Sequence, residues 1–163
     1  MPSNAEWEKA ARGDADARAW PCGDTFEETR CNTHELGLDQ TSPVGIFGAG
    51  ASPYGCLDMA GNVWEWTRSL WGTDWQPPQF GYPYSPDDAA REDLGAGDEM
   101  LRLVRGGSWI GSRDDARCAF RFGYLPVSRD YVLGFRVVLR SSPVLSPGTA
   151  QTQRSETLLR TAL

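Results

Sequence analysis

Apolar positions in this chain fall into short runs of changing period. Ser3-Asn4-Ala5-Glu6 has the form of a capping box, which predicts a helix running to about Arg12, where Gly13 stops it. Trp7, Ala10 and Ala11, spaced i, i+3, i+4, give that helix one apolar face. Residues 14–43 read as loop, with a turn at Trp20-Pro21-Cys22-Gly23-Asp24. A short strand is expected at 44–47, a turn or short helix at 57–60, and a strand at 63–67. In that strand Trp64 and Trp66 share one face and Glu65 takes the other. Residues 71–100 form a long excursion rich in Pro, Gly, Asp and aromatics, a length that usually marks a functional or separately packed loop.

The stretch 102–139 is the centre of the pattern. Leu103-Val104 before Gly106-Gly107 reads as one strand, and the β-rich run Phe135-Arg136-Val137-Val138-Leu139 as another. Between them, residues 110–133 keep neither a period of 2 nor one of 3.6. Arg113, Arg117, Arg121 and Arg129 recur through this filling and are expected to bond loop carbonyls and acidic groups. Aromatic residues set among Gly, Pro, Ser and Arg, without the alternation of a buried face, favour a display surface over ordinary core.

Composition narrows the function. The chain has 163 residues, enough for one domain with a real core, and a net charge of -6. Lys9 is the sole lysine and no basic stripe exists to neutralise phosphates, which argues against nucleic-acid binding. No apolar run reaches the ~20 residues of a membrane span and no signal peptide opens the chain. A cytoplasmic location is therefore expected, with surface display through a partner left open. Cys22, Cys31, Cys56 and Cys118 lack metal-ligand spacing with His34, the single histidine. A Cys22–Cys31 disulfide is geometrically possible, but reduced thiols suit the expected compartment. The domain is expected to occupy 1–140, and 141–163, rich in Ser, Pro, Thr and Gln, to be disordered apart from a weak helix at 157–163.

Five blocks carry a resemblance. They are Ser3-Asn4-Ala5-Glu6-Trp7-Glu8-Lys9-Ala10-Ala11-Arg12-Gly13, Thr41-Ser42-Pro43-Val44-Gly45, Asp58-Met59-Ala60-Gly61-Asn62-Val63-Trp64-Glu65-Trp66, Arg105-Gly106-Gly107-Ser108-Trp109 and Gly134-Phe135-Arg136. In this order they resemble the sulfatase-modifying factor family, which includes the formylglycine-generating enzymes. The resemblance implies an α+β, C-type-lectin-like fold of small twisted sheets and abundant loops. It begins midway through the family pattern, so a missing N-terminal segment or a partner chain is expected to complete the domain.

Resemblance also bears on chemistry. The oxidases of this family use two cysteines after the Gly-Gly-Ser-aromatic block to bind copper(I), whose softness requires thiolates. Here Gly111 stands at the first position, the second has no counterpart, and Cys118 matches a different family position. The iron-dependent sulfoxide synthases of ergothioneine biosynthesis resemble the family at the Trp-Glu-Trp block but draw their iron ligands from another domain. With one histidine, this chain could serve there only as a substrate-side half. Neither copper nor iron is expected. Calcium is the metal the resemblance leaves, with the Asp58 and Glu65 carboxylates and the Gly61 and Val63 carbonyls as hard oxygen donors.

One branch of the family consists of the variable proteins of diversity-generating retroelements, and 102–139 resembles their C-terminal segment. Its features are Arg-Gly-Gly-Ser-Trp, Ala-Arg-Cys-Ala, a proline and a closing Gly-Phe-Arg. Randomising the adenines of an Asn codon cannot give Lys, Glu, Gln, Met or Trp. Those five make up about a seventh of the chain yet are absent from 110–133, an outcome with a chance probability of about a few per cent. The candidate variable positions are Ile110, Gly111, Ser112, Phe120, Phe122, Gly123, Tyr124, Leu125, Val127, Ser128, Tyr131, Val132 and Leu133, with Asp114, Asp115 and Asp130 as further candidates. The reading is a non-catalytic binding domain whose ligand is a protein. The alternatives are a formylglycine-generating oxidase and the substrate-side half of a sulfoxide synthase.

Overall fold

The computed structural model describes residues 1–14, 18–83, 85 and 88–139. The expected tail at 141–163 lies outside them. The first helix, α1 (Asn4–Arg12), starts as its sequence dictates. The Glu6 amide donates to Ser3 Oγ (3.1 Å) and the Ser3 amide returns a bond to Glu6 Oε2 (2.8 Å), so two otherwise orphaned donors are satisfied. Gly13 ends it at φ 85°, a conformation costly for any side chain. The buried face carries Trp7, Ala10 and Ala11, which pack with Cys56, Met59 and Cys118.

Four strands form one mixed sheet in the order β3-β2-β1-β4: β1 (Trp64–Gly72), β2 (Leu101–Arg105), β3 (Phe122–Tyr124) and β4 (Leu133–Phe135). β2 lies antiparallel between β1 and β3, whereas β4 runs parallel to β1 with Trp64, Glu65 and Trp66 opposite Leu133, Gly134 and Phe135. Side-chain alternation on β1 is as expected. Trp64 and Trp66 join the cluster of Val104 and Val132, while Glu65 turns toward α1 and accepts from Trp7 Nε1 at 2.7 Å. Three-residue 3-10 turns at Glu28–Arg30, His34–Leu36 and Gly48–Gly50 punctuate the long first loop.

Three expected elements differ. Val44 and Gly45 form a turn, with Gly45 at φ 83°, and Val44 and Ile46 face solvent, so no sheet partner rewards an extended strand over 44–47. Residues 57–60 have no helix, because Asp58 sits at φ 55° and its carboxylate accepts from the Gly45 amide at 2.6 Å. The closing β-rich run is a strand only to Phe135. Arg136 then leaves the ladder to pair with Glu65, and Phe135, Val137 and Leu139 alternate outward, each at least 43% exposed.

Candidate functional site

Residues 110–133 hang from β2 and return to the sheet through β3 and β4. Regular pairing serves only Phe122–Tyr124 and Leu133; outside them, the 111–120 half is fastened to the rest of the chain at several backbone points, whereas 125–131 is held mainly by its own turns. The backbone of Arg113 is gripped on both sides, its amide donating to Glu35 Oε1 and its carbonyl accepting from Trp20 Nε1, each at 2.8 Å. The His34 amide donates to Gly111 O (2.9 Å) and the Cys118 amide to Ala19 O (2.8 Å). Burial alone would raise the Glu35 carboxyl, but the Arg113 amide and other neighbouring donors hold it below its ordinary value. An anionic acceptor therefore anchors the loop.

Arg105 is the interior post. It is fully buried at the end of β2, stacks 4.8 Å from the Trp7 ring and pairs with Glu8 at 2.9 Å. Its guanidinium also donates to Phe120 O (2.5 Å) and Cys118 O. Burial pulls the guanidinium below its ordinary pKa while the Glu8 carboxylate opposes the shift. Of the four arginines expected to brace the segment, Arg117 bonds Asp114 O at 3.1 Å. Arg121 bonds Phe80 O (3.1 Å) and lies 4.3 Å from the Tyr82 ring. Trp20, Glu35 and Arg105 carry more of the loop and were missed. Only Arg105, beside the double glycine, offered a sequence signal, a charge inside an apolar strand.

The candidate variable residues divide by exposure. Ile110, Ser112, Val127 and Tyr131 face solvent, Tyr131 at 69%. Gly111, Phe120, Phe122, Tyr124, Leu125, Ser128 and Leu133 are half-buried. Phe122 is the hub of an aromatic platform, with ring centroids of Tyr124, Trp64, Trp75 and Trp71 at 5.5, 6.0, 6.1 and 6.4 Å. Trp66 meets Tyr124 edge-on at 6.3 Å. Two positions do not belong to a displayed surface. Val132 is 3% exposed within the Trp64–Val104 core. Gly123 lies under Trp71, where an added Cβ would approach the indole to 2.8 Å.

The four candidate calcium residues come together. Asp58, Gly61, Val63 and Glu65 line one cavity of about 400 Å³, with Val44, Leu57, Phe135, Arg136 and Val137 among its walls. Gly61 is required there, since a Cβ would meet Asn32 O at 2.1 Å. Glu65 is already engaged: Arg136 holds both its oxygens at 2.5 Å. Asp58 is thus the carboxylate less neutralised by the protein. Among the described residues no group of three or more His, Cys, Asp or Glu converges as a metal site.

Nothing at Gly111 supplies the soft thiolates of a copper oxidase. Cys118 is fully buried in the α1 core, where burial pushes its thiol up to about 12, and Cys31 is pushed up to about 11 for the same reason. Burial disfavours the thiolate form at both positions. No helix among the described residues is long and apolar enough to cross a membrane.

Comparison with known proteins agrees with this architecture. The model of the sulfatase-modifying factor enzyme 1-like domain matches residues 1–141. Serine/threonine-protein kinase pkn1 of Chlamydia pneumoniae is 36% identical over 136 residues, covering 83% of this chain but 20% of the kinase. The inactive Cα-formylglycine-generating enzyme 2 of Bos taurus is 32% identical, covering 83% and 42%. The hercynine oxygenase of Mycolicibacterium thermoresistibile is 36% identical, covering 84% and 31%. Among solved structures, Treponema denticola variable protein 1 superposes with a TM-score of 0.62 at 31% identity, covering 83% of this chain and 45% of that one. The chain thus spans less than half the length of each of these proteins. The small mixed sheet, one α-helix and long loops of the described residues form the α+β, C-type-lectin-like fold, and the chain belongs to the sulfatase-modifying factor family.

Proposed function

We propose that this chain is a non-catalytic binding domain of the diversity-generating-retroelement type, whose surface over 110–133 takes a protein ligand. One observation carries the reading: the loop is fastened through its backbone by Trp20, Glu35 and Arg105, outside the candidate variable set. Side chains at Ile110 and Ser112, beside the gripped Arg113, are then free to change without loosening the frame; Val127 and Tyr131 are exposed on the neighbouring stretch, Tyr131 with its ring 5.8 Å from that of Trp109. The half-exposed rings of Phe120, Phe122 and Tyr124 offer contact area at low entropy cost, as binding surfaces require. Likeness to a variable protein and to an inactive formylglycine-generating enzyme supports the reading. Hercynine oxygenase keeps an enzymatic role as the alternative, in which this chain would be a substrate-side half.

Two further parts belong to the proposal. Calcium binds at the Asp58 cavity, held by the Asp58 carboxylate and the Gly61 and Val63 carbonyls, with Glu65 shared with Arg136. A site with so little net ligand charge belongs in the weak range, roughly 10⁻⁴–10⁻³ M. Further polypeptide, from a longer form of the protein or a partner chain, covers the outward apolar row Phe135, Val137 and Leu139, the kind of exposed hydrophobic patch that marks an interaction site. The protein works where thiols stay reduced, as in the cytoplasm.

Sequencing the DNA beside the coding region tests the central part. A near-duplicate of the 102–139 coding stretch, differing only at adenines and lying beside a reverse transcriptase, is expected. A neighbourhood with neither, together with copper-dependent conversion of cysteine to formylglycine by the purified chain, overturns it.

A further inference from the structure

The chain's net charge is concentrated in one stretch. Residues 71–100 hold seven Asp and Glu against Arg91 alone, a net charge of -6 that equals that of the whole chain, so the other residues balance to zero. Arg68 pairs with Glu92 at 2.8 Å and Arg91 lies 3.9 Å from Asp88. Asp74, Asp93, Asp98 and Glu99 are exposed and form no ion pair among the described residues. This acidic excursion is tied to the sheet near both of its ends. Near its start, Trp71 packs on Gly123 of β3 while its Nε1 donates to Asp74 O and Trp75 O at 3.1 Å each. Near its end, Arg102, opposite Tyr124 in the β2–β3 ladder, donates to Asp93 O (2.8 Å) and Ala96 O (3.1 Å).

The aromatic platform lies beside these ties, and it keeps open ring faces. Tyr124 meets Phe122 at 71° and Trp66 at 74°, so adjoining ring planes stand steeply to one another instead of stacking. Trp75, 51% exposed, extends the row beyond Phe122, while Trp66, Phe122 and Tyr124 are half-buried. Elsewhere in the molecule ring faces already carry a guanidinium: Arg105 on Trp7, Arg91 on Phe80, and Arg121 on Trp71 and Tyr82. Among the described residues no cation lies over the four rings of the platform. Burial and the Asp130 carboxylate both raise the Tyr124 hydroxyl, which agrees with a negative field at this end of the row.

We propose that this platform receives a basic side chain, Arg or Lys, of the protein ligand. Trp66 and Trp75 are its fixed walls, and Phe122 and Tyr124 are walls drawn from the candidate variable set. The electron-rich faces attract the cation at short range, and the acidic excursion draws it in from further away. Recognition thus extends beyond 110–133 onto β1 and the long loop, and the partner presents a basic patch. That the partner is a protein rests on the function proposed above.

The test titrates the full chain with acetyl-Gly-Arg-Gly-amide and follows the indole N–H signals of Trp66 and Trp75 by NMR. The same peptide with citrulline keeps the size of the side chain and removes its charge. The Arg peptide should shift both signals, and the citrulline peptide should bind about three- to tenfold more weakly. Raising the salt concentration should narrow that gap. Trp75→Leu keeps apolar cover at an exposed position and should bring the preference for Arg down to about twofold or less, read at Trp66. Equal affinity for the two peptides, no shift from either, or a preference for Arg untouched by Trp75→Leu overturns the proposal. So does a methyl glycoside that binds the same signals more tightly than the Arg peptide, which would assign the platform to carbohydrate. None of these outcomes bears on the fastened, variable loop, which is tested by the neighbouring DNA and by tolerance to substitution.

Discussion

Replacing Arg105 by Met keeps most of the stem and removes the guanidinium, leaving three acceptors without their donor. Glu8 loses a partner at 2.9 Å, and the carbonyls of Phe120 and Cys118 lose bonds made in a region closed to water. Breaking a buried pair from one side costs about 3–5 kcal/mol, because the remaining charge stays uncompensated. Tyr82 and Arg12 still reach Glu8, which places Arg105→Met toward the lower end. Against a marginal stability of roughly 5–15 kcal/mol this is a large loss, readable as a fall in the urea midpoint at constant slope. Glu8→Gln in the same chain removes a carboxylate that has lost its buried partner and should recover about 1 kcal/mol, a coupling that separates the ion pair from the carbonyl bonds. Hydrogen exchange should place the loosening at 118–120. A cost for Arg105→Met under about 1 kcal/mol, or loosening spread evenly over the sheet, would refute the assignment of Arg105 as the post of the loop.

Calcium should raise the melting temperature by mass action at millimolar concentrations, and Asp58→Asn should remove that shift; an equal shift in the variant rules the site out. Glu65→Ala is the wrong probe, since it strands Arg136 and should destabilise the chain by about 3–5 kcal/mol with or without calcium. The purified chain should not convert cysteine to formylglycine in a sulfatase peptide, with or without copper, and a copper-dependent rate would contradict the binding role. Cys118, raised from 9.0 to about 12, adds stability that is complete below about pH 9 and drains away as pH rises toward 12. Cys118→Ala should therefore flatten the fall in stability above pH 9 by up to about 1.4 kcal/mol per pH unit; an unchanged slope would mean the thiol is not shielded.

Local rules were enough where one residue decides the outcome. Ser3 and Glu6 set the start of α1, Gly13 its end, and period-2 alternation set the faces of Trp64, Glu65 and Trp66. They failed where the deciding contact is distant. Residues 44–47 look extended, but Asp58 captures the Gly45 amide; Phe135–Leu139 reads as one strand, but Glu65 draws Arg136 out of the ladder. The sequence also placed the irregular segment without sorting its residues. Val132 and Gly123 have the composition of variable positions, yet one fills the core and the other makes room for Trp71. Trp20 and Glu35 act through an indole N–H and a carboxylate reaching Arg113 from 93 and 78 residues away, a separation that no local pattern records.

The claim of a variable surface on a fixed frame is tested most directly by saturating substitution of residues 102–139 together with Trp20 and Glu35, scored by resistance of the folded chain to proteolysis. Ile110, Ser112 and Val127 should accept nearly any residue within about 0.5 kcal/mol, and Tyr131, whose ring packs on Trp109, within about 1 kcal/mol. Phe122, the aromatic hub, should show an intermediate cost. Trp20, Glu35, Arg105, Gly123 and Val132 should tolerate almost nothing. If Tyr131 and Ile110 prove as restricted as Arg105, or if Trp20 and Glu35 prove freely replaceable, the segment is ordinary structure and the account of a fastened, diversifiable surface fails.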